Sequence, residues 1–111
     1  MASKLSLDAV AREQLKIARA ATSGRSAETV YGGHERVLRQ TLMALTAGTN
    51  MAEHENPGEA TLLVVLGRVQ LSSGNDLWVG RAGDLIVIPP ARHSVEALED
   101  SAVLLTVATI A

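Results

Sequence analysis

A helical pattern of apolar and polar positions spans residues 6–22. Apolar side chains recur there at the three- and four-residue spacing of one helix face. Ser6 is suited to cap the start of this helix, and Gly24 is a natural stop. The face consists of Leu7, Val10, Gln14 and Ile17, with Ala11, Leu15 and Ala18 beside them. Because the stripe is only modestly apolar, we expect the helix to cover a surface of the same chain or of a partner.

From Glu28 onwards the pattern changes to short apolar runs separated by turn-forming residues. Short strands at such regular spacing are typical of an all-β sandwich or barrel. The run from Leu62 to Leu66 is apolar at both alternating positions, which indicates a strand buried on both faces. The predicted strands are 28–31, 35–46, 50–54, 60–66, 68–72, 77–79, 85–88, 93–98 and 102–109.

The length and the absence of repeats or linkers predict one compact unit. A chain of 111 residues can bury most of its apolar surface in a single core. We divide it into a helix and linker over residues 1–27 and a β-barrel domain over residues 28–111.

Composition narrows the function. There is no Phe, and Tyr31 and Trp78 are the only large aromatic rings, so a stacking platform for sugars or single-stranded nucleic acid is not expected. We expect Trp78 to be packed in the core or at a dimer contact. The net charge of −2 argues against a phosphate-binding surface, and we expect no nucleic-acid partner.

The chain contains no Cys, which excludes disulfides, thiolate metal sites and cysteine nucleophiles. No signal peptide is visible, and no apolar run approaches the roughly 18 residues of a membrane span. We therefore expect a cytoplasmic protein with no membrane partner.

The densest group of chemically useful side chains is the stretch from His54 to Glu59. On an extended chain His54 and Asn56 face the same side. Strict alternation would place Glu59 on the opposite face of the strand from His54. Pro57 and Gly58 lie between them, however, and such a pair can bulge a strand and reset its register. We expect the carboxylate to rejoin the imidazole there.

Two segments resemble the sequence motifs of the cupin superfamily. His54-x-Asn56-x-x-Glu59, with Gly48 before it and Gly67 after it, resembles the first motif, and residues 83–93 resemble the second. Residues 83–93 begin Gly-Asp and continue through an apolar strand and a proline turn to His93. The resemblance covers roughly residues 36–109. It implies an all-β fold, the cupin double-stranded β-helix or jelly-roll barrel, with a central pocket, together with the short N-terminal helix; it also implies a homodimer.

The resemblance implies metal ligands at His54, Glu59 and His93. Two imidazoles and a carboxylate suit Fe(II), and Mn, Ni or Zn could occupy the same set. Asn56 stands where the family has a second histidine, and an amide oxygen is a poorer ligand, so this exchange should weaken binding or leave one position to water. The loop before His93 lacks the usual glycine and is about one residue short, yet His93, Val95 and Ala97 should still share the inward face.

A metal-free arrangement is the alternative at the same residues. Glu59 would then orient His54 by a hydrogen bond, and the pocket would bind a small polar molecule. Gln40 and His34 are possible additional pocket residues, since they share a parity in the strand predicted over 35–46. A turn position at the barrel rim is the simpler interpretation of His34.

We predict a small-molecule binding or sensing module that uses a divalent metal, a small polar ligand or both. The alternative is a metal-dependent enzyme, a dioxygenase or an isomerase, that uses the same pocket. A purely structural role as a dimerisation scaffold is a third interpretation.

Overall fold

The computed structural model describes residues 3–54 and 58–108, apart from the side chains of residues 52–54. One helix and nine antiparallel strands make up this part of the chain, so the predicted all-β fold with an N-terminal helix is confirmed. The elements are α1 (Leu7–Ala20), β1 (Arg25–Tyr31), β2 (Leu38–Leu45), β3 (Asn50–His54), β4 (Glu59–Leu66), β5 (Arg68–Ser73), β6 (Asp76–Arg81), β7 (Leu85–Val87), β8 (His93–Ala97) and β9 (Ser101–Ala108).

The strands form two sheets that face each other. The five-stranded sheet has the order β1-β2-β9-β4-β7, and the four-stranded sheet has the order β3-β8-β5-β6. The main core lies between them, and alternate residues of each strand supply it. On β4 these residues are Ala60, Leu62 and Val64, and on β8 they include Val95 and Ala97. The even-numbered residues of β4 therefore face inward, and its odd-numbered residues face outward.

Helix α1 covers the outer face of the five-stranded sheet. Its N-terminus is capped by Ser6, whose Oγ accepts a hydrogen bond of 3.1 Å from the Ala9 N–H. Ala11 packs with Leu42 and Ala102 of the sheet. The small alanine side chain lets the helix approach the sheet closely. The side chains that the helix buries are Ala11, Gln14, Leu15 and Ala18.

The buried face of α1 is rotated from the predicted stripe. Ile17, placed on the apolar stripe by sequence, is 46% exposed, because the close contact follows Ala11 and Ala18 instead. The helix also ends at Ala20, four residues before Gly24. Since the helix covers the sheet of its own chain, its apolar face is not an argument for a partner.

Asp100 ties the helix to the strand connections. Its carboxylate accepts hydrogen bonds of 2.9 Å from the Ala47 N–H and of 2.9 Å from Arg19 Nε at the end of α1. The bond from the Ala47 N–H, followed by the bond from Arg19, holds the pKa of Asp100 below its usual range. The ionised carboxylate is thus the form that the folded chain prefers.

The strand boundaries differ from the predicted ones mainly before β2. The strand predicted over 35–46 begins at Leu38, because His34 and Glu35 form a turn in which the Arg36 N–H bonds the Gly33 carbonyl at 3.3 Å. Strand β1 begins at Arg25, three residues before the predicted start of the barrel domain. In the described part of the chain, no helix is long and apolar enough to cross a membrane.

Candidate functional site

His93 is one of three buried polar side chains among the described residues. It opens β8, is 2% exposed, and shares its parity with Val95 and Ala97 of the core, so the predicted inward direction of these three residues agrees with the structure. Its Nδ1 lies 3.0 Å from the Ala91 carbonyl oxygen. A carbonyl can only accept, so Nδ1 is the donor in this hydrogen bond. The short loop after the prolines therefore orients the ring as well as placing it.

Residue 54 is the direct cross-strand neighbour of His93. In the ladder between β3 and β8, Met51 pairs with Val95 and His54 pairs with His93. Three steps on β3 thus match two steps on β8, which is a β-bulge. Without this extra residue, the inward position of Met51 would place residue 54 at an outward register position. The bulge restores residue 54 to the position opposite the inward-facing His93.

The predicted reset of register was placed at Pro57-Gly58, and the structure contains one upstream of it, between Met51 and His54. Pro57 and Asn56 lie outside the described residues, as does Glu55. The predicted role of Asn56 as a weak ligand position therefore stays a prediction.

Glu59 lies on the other sheet and at an outward position. It is the first residue of β4 and is exposed, whereas the next residue, Ala60, is 6% exposed and belongs to the core. The backbone of β4 thus places an alanine, not the carboxylate, at the inward position. Among the described side chains no group of three or more His, Asp or Glu residues could hold a metal. The register therefore brings together residues 54 and 93, while Glu59 occupies an outward position on the other sheet.

Gln40 does not point into the barrel. It shares the parity of Leu42, which packs under α1 on the outer face of the five-stranded sheet. Its Nε2 donates a hydrogen bond of 3.2 Å to Thr106 Oγ1 of the neighbouring strand. Gln40 therefore lies on the outer face of β2, under the helix side of the sheet, and does not line the barrel pocket as we expected from the sequence. His34 lies in the exposed turn before β2, in keeping with the rim position.

A cleft of about 470 Å³ opens beside Glu59. Two threonine hydroxyls, from Thr61 and Thr106, share it with apolar walls that include Val87 and Pro90. Thr61 and Thr106 are directly paired across β4 and β9. Sequence reasoning missed both residues, because the strands predicted over 60–66 and 102–109 were judged by their apolar positions. The threonine within each of these strands was the available signal.

Comparison with known proteins identifies the fold. The sequence matches no protein-family profile and no curated protein. Its structure is similar to that of a conserved protein of unknown function from Streptococcus pyogenes, with 20% identity and a TM-score of 0.76 over 100% of this chain and 90% of the other. It also resembles a cupin superfamily protein from Desulfitobacterium hafniense, with 13% identity and a TM-score of 0.71 over 78% of each chain.

A third similar structure is a cupin 2 conserved barrel domain protein from Salinispora arenicola. It shares 18% identity and a TM-score of 0.67 over 96% of this chain and 87% of the other. At such low identities the likeness identifies the fold alone. The resemblance predicted from the two sequence motifs is confirmed at that level.

Proposed function

We propose that this small cupin-fold chain is a ligand-binding module whose site is the cross-strand pair His54 and His93. In this proposal the two imidazoles bind a divalent transition metal, and the remaining coordination positions are left to water or to a small polar ligand. The single observation that carries the proposal is the hydrogen bond of His93. Its Nδ1–H is held by the Ala91 carbonyl at 3.0 Å, as is usual for histidines that bind a metal through the other nitrogen.

The ladder register supports His54 as the second ligand. Residues that are directly opposite in an antiparallel pair have Cα atoms about 4.5–5.5 Å apart, a separation from which two imidazoles can reach one ion. His54 and His93 are such a pair. The bulge between residues 51 and 54 inserts one extra residue into β3. As a result, residue 54 pairs directly with His93.

The donor set fits zinc or nickel better than the iron of a facial triad. Imidazole is a good ligand for Zn, Cu, Fe and Ni, whereas a two-histidine, one-carboxylate set is what favours Fe(II). The inward neighbour on β4 is Ala60, and Glu59 is exposed on the other face. Such a metal would supply Lewis acidity toward an oxygen-bearing ligand. Within this chain, the Ala91 carbonyl would orient the His93 ring for metal binding, and the apolar core around Val95 would exclude water on one side.

The test is a metal titration of protein purified without a histidine tag. Stripped protein is melted with and without Zn, Ni, Mn or Fe(II), since a ligand bound only by the folded state raises the melting temperature. At a free metal concentration of 100 times Kd, the gain is about 2.7 kcal/mol, or about 10 °C for a domain of this size. We expect His93→Ala and His54→Ala each to abolish the shift.

Glu59→Gln is the matched control, because it removes a carboxylate five residues after His54 without altering the inward-facing side chains. Under the proposal it leaves the metal shift unchanged. No shift with any of the four metals in the wild-type protein would contradict metal binding. A melting-temperature shift that is lost in Glu59→Gln but kept in His93→Ala would indicate that Glu59, and not His93, binds the metal.

A metal-free pocket for a small polar molecule is the second candidate. It is favoured by the same position of His93, because a buried imidazole held by the Ala91 carbonyl is a polar group that a small ligand could hydrogen-bond. In that case stabilisation by metals is missing, while ligands with a donor group still raise the melting temperature and His93→Ala removes the effect. A dioxygenase or isomerase is less well supported, because the described residues place no carboxylate beside His93 on the inward face.

A further inference from the structure

The cleft beside Glu59 lies on the outer face of the five-stranded sheet, away from the interior of the barrel. The odd-numbered residues of β4 face outward, so Glu59 and Thr61 share this face. Thr61 pairs with Thr106 of β9 on one side and with Val87 of β7 on the other. These four residues line the same cleft of about 470 Å³, which we call the outer cleft. Its floor therefore runs across three neighbouring strands.

Gln40 orients the hydroxyl of Thr106 at the side of the outer cleft. The two residues are direct partners in the ladder between β2 and β9. Gln40 Nε2 donates a hydrogen bond of 3.2 Å to Thr106 Oγ1. Because this bond uses Thr106 as the acceptor, the hydroxyl keeps its own proton for another partner. Within the described part of the chain that proton has no protein acceptor, so it is available to an oxygen atom in the cleft.

Glu59 makes the outer cleft acidic. Its side chain is exposed, and none of the ion pairs formed by the described residues includes it. The described residues that line the cleft include no lysine or arginine. The remaining walls are apolar: Val87 is 73% exposed, and Pro90 lies beside it. An unpaired carboxylate next to open apolar walls favours a ligand that has both a positive charge and a hydrocarbon part.

We propose that the outer cleft is a second binding site, separate from the His54–His93 pair, for a small organic amine that also carries a hydroxyl or carbonyl oxygen. The ammonium group pairs with Glu59, the hydrocarbon part lies against Val87, and the oxygen accepts the proton of Thr106. Thr106 lies opposite Thr61, and Thr61 is two residues from Glu59, a distance of about 6.8 Å along a strand. A four-carbon chain between nitrogen and oxygen suits that spacing.

The test is an NMR titration of metal-free, isotope-labelled protein with 4-amino-1-butanol at neutral pH and constant ionic strength. The amide signals of Thr61, Val87 and Thr106 should move and saturate. The matched compounds are 1-butanol, which lacks the charge, and 4-hydroxybutyrate, which reverses it; both should bind about fivefold more weakly or not at all. Glu59→Gln and Thr106→Val should each weaken binding of 4-amino-1-butanol by about fivefold, because each removes one polar contact.

Glu96→Gln is the matched control for the charge. Glu96 is an exposed carboxylate on β8 of the other sheet, and its removal should leave the affinity for 4-amino-1-butanol unchanged. The backbone spectrum of each variant checks that it folds. Equal binding of 4-hydroxybutyrate, or wild-type affinity in Glu59→Gln, would overturn the proposal. Wild-type affinity in Thr106→Val would overturn the assigned oxygen contact.

The exposed tryptophan is the competing place for a small cation. Trp78 is 41% exposed on β6, so the expectation that it is packed in the core is not met within the chain. A cation can bind over the face of such a ring, and the indole N–H gives a separate signal. Movement of that signal without movement of the Thr61 and Thr106 amides would overturn the proposal. The protein is free of metal throughout, so none of these outcomes depends on metal binding at His54 and His93.

Discussion

The two glycines that frame the first sequence motif should differ sharply in their tolerance of a side chain. Gly48 and Gly67 both have left-handed backbones, with φ of +85° and +81°. A Cβ at Gly48 has nothing within 4 Å, whereas a Cβ at Gly67 would lie 2.3 Å from the Asp100 carbonyl oxygen and 2.3 Å from Ser101 Oγ. The first obstacle is backbone and cannot rotate away. Gly48→Ala and Gly67→Ala therefore separate conformational strain from steric overlap.

The magnitudes follow from these two contributions. A left-handed alanine costs about 1–2 kcal/mol, and forced overpacking adds about 1–3 kcal/mol. Gly48→Ala should thus lower the free energy of unfolding by about 1–2 kcal/mol and Gly67→Ala by about 2–5 kcal/mol. For a domain of this size 1 kcal/mol corresponds to about 4 °C in melting temperature.

Urea unfolding of metal-free protein measures both values, with thermal melting as the second readout. The slope of the urea dependence should be the same in the wild type and both variants, since the surface exposed on unfolding does not change. If Gly67→Ala were no more destabilising than Gly48→Ala, the close approach of residue 67 to the loop before β9 would be refuted.

Three smaller perturbations test other contacts. The pKa of Asp100 is lowered in the folded chain. Its carboxylate therefore contributes stability above the unfolded pKa of about 4, and this contribution is lost as pH falls through the folded value. Asp100→Asn should flatten that part of a stability-against-pH curve measured from pH 7 to pH 2, and an unchanged curve would contradict the linkage. Ser101→Ala should cost about 1–3 kcal/mol in chemical denaturation, because Ser101 is fully buried and its Oγ accepts a bond of 3.0 Å from the Arg68 N–H; a variant as stable as the wild type would show that water replaces the hydroxyl. Ser6→Ala removes the helix cap and should cost about 1 kcal/mol, with a control at Ser23, outside the helix.

Most of the strand pattern could be predicted because turn residues punctuate it. The strand predicted over 50–54 has those bounds, and the one predicted over 68–72 extends by one residue. The strand predicted directly after Gly32-Gly33, over 35–46, starts later, because the turn extends to Arg36 and delays the strand to Leu38.

The candidate site was only partly predictable, because a single inserted residue changes the face of the strand on which each later residue lies. Alternation alone cannot locate the bulge between Met51 and His54, which decides the register position of His54. The same limitation explains Glu59. A carboxylate near a histidine in sequence suggested one cluster, while the core position on β4 belongs to Ala60.

Gln40 illustrates a second limit. Both faces of β2 are covered, one by the second sheet and the other by α1, so its sequence does not reveal which face is the interior. Only the packing of Leu42 with Ala11 distinguishes them. His93 was predictable, by contrast, since Val95 and Ala97 continue its parity without interruption.

The most direct test of the central claim is a crystal structure of the protein loaded with one equivalent of zinc, located by anomalous scattering at the zinc edge. We expect one zinc ion per chain, bonded to His93 Nε2 and to the imidazole of His54 at about 2.0–2.1 Å, with Glu59 on the opposite face of β4. A zinc ion bound elsewhere, or a crystal in which His54 and His93 bind no zinc, would contradict it.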